Sequence, residues 1–157
     1  YNQVFDLNYT IIRPSALYGE RCISRRVGQI FIENALFGKK ISINGMGEEK
    51  LDFTYILDLI QGISKSIANE KAYNQIFNIT YGEGREILKL IEIIKNNFSN
   101  IAVEFKERSK LVPVRGTLSN SKSKDLLGYK SEWPLEKGYQ QYINWYKDFF
   151  DKKINVS

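Results

Sequence analysis

A pair of glycines, Gly45 and Gly47, opens the stretch that most constrains how this chain can fold. Glycine permits a positive φ, so these positions predict a loop. A short apolar segment follows, and the sequence then changes to the spacing of three and four residues that is typical of one helical face. That predicted face consists of Ile56, Leu59, Ile60, Ile63 and Ile67. Residues 45–63 therefore predict a loop, a short strand and a supporting helix.

The same loop carries the charged residues Glu48, Glu49 and Lys50 beside flexible backbone. Loops on a rigid support often hold binding residues, so these side chains are candidates to meet the polar groups of a ligand. The alternative is a surface turn that only leads into an amphipathic helix. The spacing alone leaves both interpretations open.

The length of 157 residues fits one domain with a hydrophobic core. The hydrophobic fraction of 43% and the charged fraction of 26% are values of a globular protein. No run of about 18 apolar residues could span a bilayer, and no basic-then-apolar leader begins the chain. We therefore expect a soluble cytoplasmic protein with no membrane partner.

The chain contains no histidine and a single cysteine, Cys22. Histidine-dependent catalysis, histidine metal ligation and an intramolecular disulfide are therefore excluded for this sequence. A site built from several cysteines is excluded as well, so we expect no metal centre of that kind.

The net charge of +5 arises from 23 basic residues that are interleaved with 18 acidic ones. Nucleic-acid binding favours a concentrated basic face, so we expect no nucleic-acid partner. The densest group of cations is Lys106, Arg108, Lys110 and Arg115. This segment could serve an anionic ligand, and a solvated loop is the competing interpretation.

A short apolar run over residues 9–12 predicts a parallel strand that Pro14 ends. Residues 13–21 then lie where the ligand crevice of an open α/β sheet is found, beyond the carboxyl end of a strand. Helical spacing resumes after Ser24, a predicted N-cap, and Gly38 ends that helix. The remaining predicted elements are strands over residues 40–43, 76–80 and 101–105, and helices over residues 87–98 and from Pro134 onward.

Three stretches of the sequence match motifs that occur together, and in this order, in one protein family. They are Arg-Pro-Ser-Ala-Leu-Tyr-Gly-Glu-Arg at residues 13–21, Gly-Met-Gly-Glu-Glu-Lys-Leu-Asp-Phe-Thr-Tyr-Ile-Leu-Asp-Leu at residues 45–59, and residues 115–129. They resemble the extended short-chain dehydrogenase/reductases, the NAD-dependent nucleotide-sugar epimerases and dehydratases. The resemblance implies an α/β fold, made of the last strands of a Rossmann-like sheet and the small α/β substrate-binding domain of this family.

In that family the first stretch passes beside the nicotinamide and the substrate. The resemblance therefore implies that Pro14, Ser15 and Ala16 bind the NAD cofactor and that Arg21 binds the substrate. The sequence departs from the family pattern at two positions, because Ala16 replaces the usual asparagine and Glu20 replaces the usual proline.

Cations at two further places are implied to bind a nucleotide-sugar that carries UDP or dTDP. Most members of the family have an arginine directly before Asp-Phe, where it meets the nucleotide. That position is Leu51 here, and Lys50 is the adjacent cation. A later cation pairs with the substrate diphosphate in the family, and Lys110 or Arg115 matches it by position. The implied substrate-binding set is thus Arg21, Lys50, Lys110 and Arg115.

The family's Tyr-x-x-x-Lys pair and its glycine-rich dinucleotide fingerprint do not occur in the sequence. In the family both precede the stretch that matches residues 13–21. The resemblance thus implies that residues 1–157 are the carboxyl-terminal, sugar-nucleotide-binding portion of an enzyme whose amino-terminal NAD-binding half is absent, and that the complete enzyme is a homodimer. The alternative is a non-catalytic sugar-nucleotide-binding or regulatory module.

Overall fold

Helices and strands alternate along the chain in a computed structural model that describes residues 1–108, 113 and 115–154. The helices are α1 (Asn2–Phe5), α2 (Val27–Leu36), α3 (Ile56–Ile67), α4 (Ile87–Asn97), α5 (Ser121–Leu127) and α6 (Leu135–Ile154). The strands are β1 (Thr10–Arg13), β2 (Ile41–Asn44), β3 (Lys50–Asp52), β4 (Gln75–Asn78), β5 (Gly84–Glu86) and β6 (Val103–Lys106). A short 3-10 helix covers Glu70–Ala72.

The strands pair two by two. β1 pairs with β4 in parallel, with Ile11 opposite Ile76, and β2 pairs with β6 in parallel. β3 and β5 are antiparallel, with Lys50 opposite Glu86. The two parallel pairs require crossover connections, and α3 provides the one between β1 and β4. The predicted strands therefore exist, each displaced by one or two residues.

The hydrophobic core consists of two clusters that both contact Ile56. The larger cluster lies between α2, α4, α6 and the strands β2 and β3, and its centre includes Ile32, Leu90 and Tyr139. The smaller cluster lies between the β1–β4 pair and the helices α3 and α5. A cavity follows from this arrangement, because the larger cluster leaves open space next to the loop after β1.

Helices α4 and α6 bury the faces that the sequence predicted. Ile87, Leu90, Ile91 and Ile94 of α4 are all buried. The buried face of α6 contains Leu135, Tyr139, Tyr142, Ile143 and Tyr146. In both helices the apolar residues recur at helical spacing, so the local pattern was enough to identify the inner side.

Helix α2 begins later than predicted. Arg26, not Ser24, occupies the N-cap position, and no side chain caps the helix. The Ser24 hydroxyl instead lies 3.3 Å from the Cys22 sulfur and accepts a hydrogen bond from Arg26 Nε at 3.1 Å. Gly38 does follow the end of the helix, with a φ of 62°, as the sequence predicted.

Helix α3 turns a different side inward from the one its apolar spacing predicted. Ile60, Ile63 and Ile67 are exposed by 49%, 38% and 78% respectively. The buried positions of the helix are Asp58, Leu59, Gly62 and Ser66. The prediction was wrong because Asp58 is held inside by hydrogen bonds, and because Gly62 lets the helix approach Ile79 closely.

Candidate functional site

A cavity of about 330 Å³ opens beside the larger core cluster. Residues from the loop after β1, the first turn of α2, the strands β2 and β3, and the helices α4 and α6 all contribute to its lining. The lining residues are Ala16, Leu17, Tyr18, Arg26, Val27, Gly28, Phe31, Ser42, Ile43, Asn44, Glu49, Leu51, Phe53, Ile87, Leu90, Arg115 and Tyr139.

The lining of this cavity is mostly apolar with a few polar groups. Leu51, Phe53 and Tyr139 contribute buried apolar surface. The polar lining residues are Arg26, Ser42, Asn44, Glu49 and Arg115. A concave apolar site with a few polar groups suits a small organic ligand, and the two arginines favour one that also carries negative charge.

The loop after β1 is fixed against the segment that precedes α3. Tyr18 N donates to Thr54 O at 3.0 Å, and Ile56 N donates to Tyr18 O at 2.9 Å. Ala16 lines the cavity from this loop with a φ of 34°, a left-handed conformation that costs an alanine energy. The backbone therefore keeps at this position a conformation that asparagine tolerates better than alanine.

A side-chain hydrogen bond holds the same loop further along. Tyr55 Oη donates to Glu20 Oε1 at 2.6 Å, and Tyr55 is almost completely buried. Burial raises the pKa of the Tyr55 phenol, and the bond to Glu20 raises it further. Tyr55 therefore stays protonated and acts as a donor. Glu20 occupies the position where the family usually has proline, and it fixes the loop through this hydrogen bond from Tyr55.

The first turn of α2 is fixed by α6. Tyr139 Oη donates to Gly28 O at 2.8 Å, and Tyr139 Cε2 would lie only 3.3 Å from a Cβ atom at Gly28. This contact sets the position of the turn that carries Arg26 and Val27 into the cavity lining. The sequence analysis identified neither Arg26 nor Tyr139 as a site residue, because the contact joins residues far apart in the chain.

Alternation along β3 separates Lys50 from Leu51. Leu51 is buried and lines the cavity, whereas the exposed Lys50 lies in an adjoining depression. Arg108 and Glu48 belong to that depression too, and Glu49 and Arg115 lie between it and the cavity. Leu51, at the position where most of the family has an arginine, thus presents an apolar side chain to the cavity.

Asp52 holds the loop that carries Arg115. Its buried carboxylate accepts hydrogen bonds from Gly82 N at 3.0 Å and, at a longer distance of 3.4 Å, from Leu118 N. Burial raises the pKa of the Asp52 carboxyl, and the two N–H groups partly oppose that rise. Asn120 donates to Thr80 O at 3.0 Å and secures the other end of the loop. The sequence analysis missed Asp52, although it lies in the stretch that resembles the family.

The other predicted site residues lie outside the cavity. Pro14 is exposed and Ser15 half-buried, and neither lines the cavity that their neighbour Ala16 lines. Arg21 is exposed with a φ of 61° and is likewise not part of the lining. Lys110 lies outside the residues that the structure describes. The structure therefore brings Ala16 and Arg115 together at one cavity and places Lys50 next to it.

A sequence model of the NAD dependent epimerase/dehydratase family matches residues 1–80, just over half of the chain. This chain belongs to that family. The first two stretches that resemble the family fall within the match. The fold accordingly is the α/β arrangement of the Rossmann-like epimerases in this family.

Several relatives of the chain are named as nucleotide-sugar epimerases, and the chain spans about half of their length. A putative UDP-glucose 4-epimerase of Methanocaldococcus jannaschii is 29% identical over 94% of this chain and 48% of its own length. The solved UDP-glucose 4-epimerase of Thermotoga maritima, with UDP-glucose, matches at 27% identity and a TM-score of 0.85, over 95% of this chain and 49% of that one. The UDP-glucuronic acid 4-epimerase of Bacillus cereus, with UDP-glucuronic acid and NAD, matches at 25% identity and a TM-score of 0.86, over 95% of this chain and 48% of that one.

The described residues do not contain the glycine-rich turn of a dinucleotide-binding site. A dinucleotide pyrophosphate is held by a glycine-rich turn from a strand into a helix N-terminus. In the part of the chain that the structure describes, no strand leads through such a turn into a helix. Nor do the described residues contain a group of acidic or cysteine side chains that could hold a metal ion, or a helix that could cross a membrane.

Proposed function

We propose that this chain is the nucleotide-sugar-binding portion of an NAD-dependent epimerase or dehydratase. The observation that carries the proposal is the cavity, whose lining is mostly apolar and includes Arg26 and Arg115. A mostly apolar lining suits a nucleoside, and arginine suits a diphosphate because its planar fork can bind two phosphate oxygens at once. We expect a UDP- or dTDP-linked sugar, since the relatives are named for UDP-sugars.

Among the proposed cations, Arg115 has the strongest structural support. It contributes both to the cavity and to the adjoining depression, and Asp52 holds the loop on which it lies. Lys50 lies in the adjoining depression, where it can add positive charge near the ligand although it is not part of the cavity lining. Arg21 and Lys110 stay proposed contacts on the strength of the resemblance alone.

NAD in this proposal binds mainly to the preceding part of the complete enzyme, which we also propose to be a homodimer. Pro14, Ser15 and Ala16 follow β1 at its carboxyl end, where an open α/β sheet binds its ligand. They would contribute one border of the cofactor site. NAD supplies the hydride chemistry when it is bound, and this chain supplies the binding and orientation of the sugar.

The chain by itself is proposed to have no catalytic activity. No tyrosine in the sequence has a lysine four positions later, so the family's proton-transfer pair is missing from these residues. Turnover of UDP- or dTDP-sugars by the isolated chain with added NAD would contradict this proposal. A reading frame that continues upstream with the glycine-rich fingerprint and Tyr-x-x-x-Lys would exclude the alternative, a non-catalytic binding or regulatory module.

Arg115→Ala is the experiment that tests the binding proposal. Loss of a bidentate charge-assisted contact should weaken UDP or dTDP binding by about 1.5–3 kcal/mol, which is roughly a 10- to 150-fold rise in Kd. Arg115→Lys should recover only part of this loss, because lysine keeps the charge and not the fork. Calorimetric titration gives the Kd, and a thermal melt of each variant should show little change.

Two further variants locate the contact if Arg115 is not responsible. Arg21→Ala removes another proposed contact, an exposed arginine outside the cavity lining, and a raised Kd in this variant would move the diphosphate contact to Arg21. An unchanged Kd in Arg115→Ala with a raised Kd in Lys110→Ala would move the diphosphate contact to Lys110. No change in any of these variants would contradict nucleotide-sugar binding at this cavity.

A further inference from the structure

Glu49 brings a negative charge to a cavity whose other charged side chains are positive. Among the described residues that line the cavity, its carboxylate is the single acidic group, and Arg26 and Arg115 are the cations. Glu49 also lines the adjoining depression, as Arg115 does. A carboxylate repels a diphosphate, so Glu49 lowers the affinity of this site unless it binds another part of the ligand.

The backbone at Glu49 is fixed, whereas its side chain has no protein partner. Ile87 N donates to Glu49 O at 3.1 Å, and Leu88 N donates to Gly47 O at 3.1 Å, so the first turn of α4 holds this segment. In the part of the chain that the structure describes, no hydrogen bond or ion pair occupies the Glu49 carboxylate. Two acceptor oxygens are therefore available to a ligand from a fixed position on the cavity lining.

The hydrogen-bond donors of a UDP-sugar are unevenly distributed over the ligand. The diphosphate has only acceptors, and the uracil ring has a single N–H donor. Hydroxyl groups on neighbouring carbons occur on the ribose and on the hexose. A pair of such hydroxyls can donate to both oxygens of one carboxylate, and acidic side chains bind a ribose hydroxyl in dinucleotide-binding folds.

The ribose is the diol that suits the position of Glu49. In the proposed function the mostly apolar cavity takes the base, and Arg115 takes the diphosphate. The ribose joins these two parts of the ligand. Glu49 and Arg115 both line the cavity and the depression, so they lie at the same border. A ligand with its base in the cavity and its diphosphate at Arg115 therefore brings its ribose next to Glu49.

We propose that Glu49 accepts hydrogen bonds from the 2′- and 3′-hydroxyls of the ligand's ribose and thereby selects a UDP-linked sugar over a dTDP-linked one. A 2′-deoxyribose lacks one of these hydroxyls. The carboxylate then still repels the diphosphate but accepts one hydrogen bond fewer, so the deoxyribonucleotide binds more weakly. This inference rests on the proposed function, which leaves the choice between UDP and dTDP open.

The experiment compares UDP with 2′-deoxy-UDP, which differ in one hydroxyl, by calorimetric titration of the 157-residue chain. The wild type should bind UDP about tenfold or more tightly, because a hydrogen bond to a charged group is lost with the deoxy ligand. Glu49→Ala should raise the Kd for UDP and reduce the preference to about twofold or less, since no acceptor remains. Glu49→Gln keeps one acceptor oxygen without the charge, so its preference should be intermediate.

Glu48→Ala is the matched control. It removes the same charge from the neighbouring position, but Glu48 is exposed and lines the depression without lining the cavity. This variant should therefore keep the preference of the wild type for UDP. A thermal melt of Glu49→Ala should match that of the wild type, because the carboxylate has no partner among the described residues.

Two results would overturn the inference and leave the proposed function intact. One is a similar Kd for UDP and 2′-deoxy-UDP in the wild type, while Arg115→Ala weakens the binding of both. The other is an unchanged Kd for UDP in Glu49→Ala with a raised Kd for UDP-glucose, which would assign the carboxylate to the hexose hydroxyls. Absence of UDP binding by the wild type would instead refute the proposed function, and this inference with it.

Discussion

Gly62 lets α3 approach Ile79 of the core closely, and its replacement by alanine tests the packing of that helix. A Cβ atom built on Gly62 would lie 2.4 Å from Ile79 Cγ2 and 2.9 Å from Ile79 Cδ1. Ile79 is completely buried in the smaller core cluster. Neither residue has free space, so the helix must move outward or Ile79 must leave its rotamer.

Two opposing terms give the expected size of the effect. Overpacking a core by one methyl group costs about 1–3 kcal/mol. Alanine in place of glycine inside a helix stabilises by about 1 kcal/mol. Because the distance from the new Cβ to Ile79 Cγ2 is well below van der Waals contact, we expect the overpacking cost to lie in the upper part of its range. Gly62→Ala should therefore lower the free energy of unfolding by about 1–2 kcal/mol.

A double-mutant cycle separates the clash from other causes. Ile79→Ala alone should cost about 2–5 kcal/mol, because it leaves a cavity. It also removes all three atoms nearest to the new Cβ. Gly62→Ala in that background should thus stabilise by about 1 kcal/mol, so the coupling between the two sites is about 2–3 kcal/mol.

The assay is urea denaturation of the four proteins, followed by circular dichroism. Gly116→Ala is the control, because nothing lies within 4 Å of a Cβ there, and its free energy of unfolding should stay within about 0.5 kcal/mol of the wild type. If Gly62→Ala stabilises the wild type as much as it stabilises Ile79→Ala, the close approach of α3 is refuted.

Two further predictions concern Asp58 and Ala16. Both carboxylate oxygens of Asp58 accept backbone N–H groups, from Glu132 at 2.9 Å and Trp133 at 3.3 Å, and Asp58→Asn removes both the charge and one of the two acceptors. Burial raises the pKa of the Asp58 carboxyl above 3.8. The free energy of unfolding of the wild type relative to Asp58→Asn should therefore be greatest below pH 3.8 and fall as pH rises through the raised pKa. A difference in urea denaturation that does not change with pH would contradict this. Ala16→Gly should stabilise the protein by about 0.5–1 kcal/mol, because glycine has no strain at a φ of 34°. Ala35→Gly inside α2 should instead destabilise it. If thermal melts show that both variants change Tm in the same direction, the strain at Ala16 is refuted.

The sequence by itself determined the elements and the inner faces of most helices. In α4 and α6 the apolar residues recur at helical spacing, and burial of that stripe excludes more apolar surface from water than any other orientation. The motifs at residues 13–21 and 45–59 were also sufficient to identify the family, whose sequence model matches the part of the chain that contains both.

Only the tertiary structure decided which side of α3 is buried. Its apolar stripe remains exposed, whereas Asp58 and Gly62 face inward. Asp58 can be buried because residues 132 and 133, far along the chain, supply its hydrogen-bond donors. Gly62 faces inward because Ile79 needs the space. The helical pattern of α3 contains no information about these partners, because only the tertiary fold brings them next to the helix.

Some residues of the candidate site could be identified from the sequence, and others only from the tertiary structure. The sequence identified Ala16 and Arg115, which lie within stretches that resemble the family, and the structure brings them to one cavity. It could not identify Arg26 or the anchoring role of Tyr139, because the bond from Tyr139 to Gly28 spans 111 residues. The choice between Lys50 and Leu51 also belonged to the structure: alternation along a strand separates neighbours, but only the packing of β3 against the core decides which of them faces the cavity.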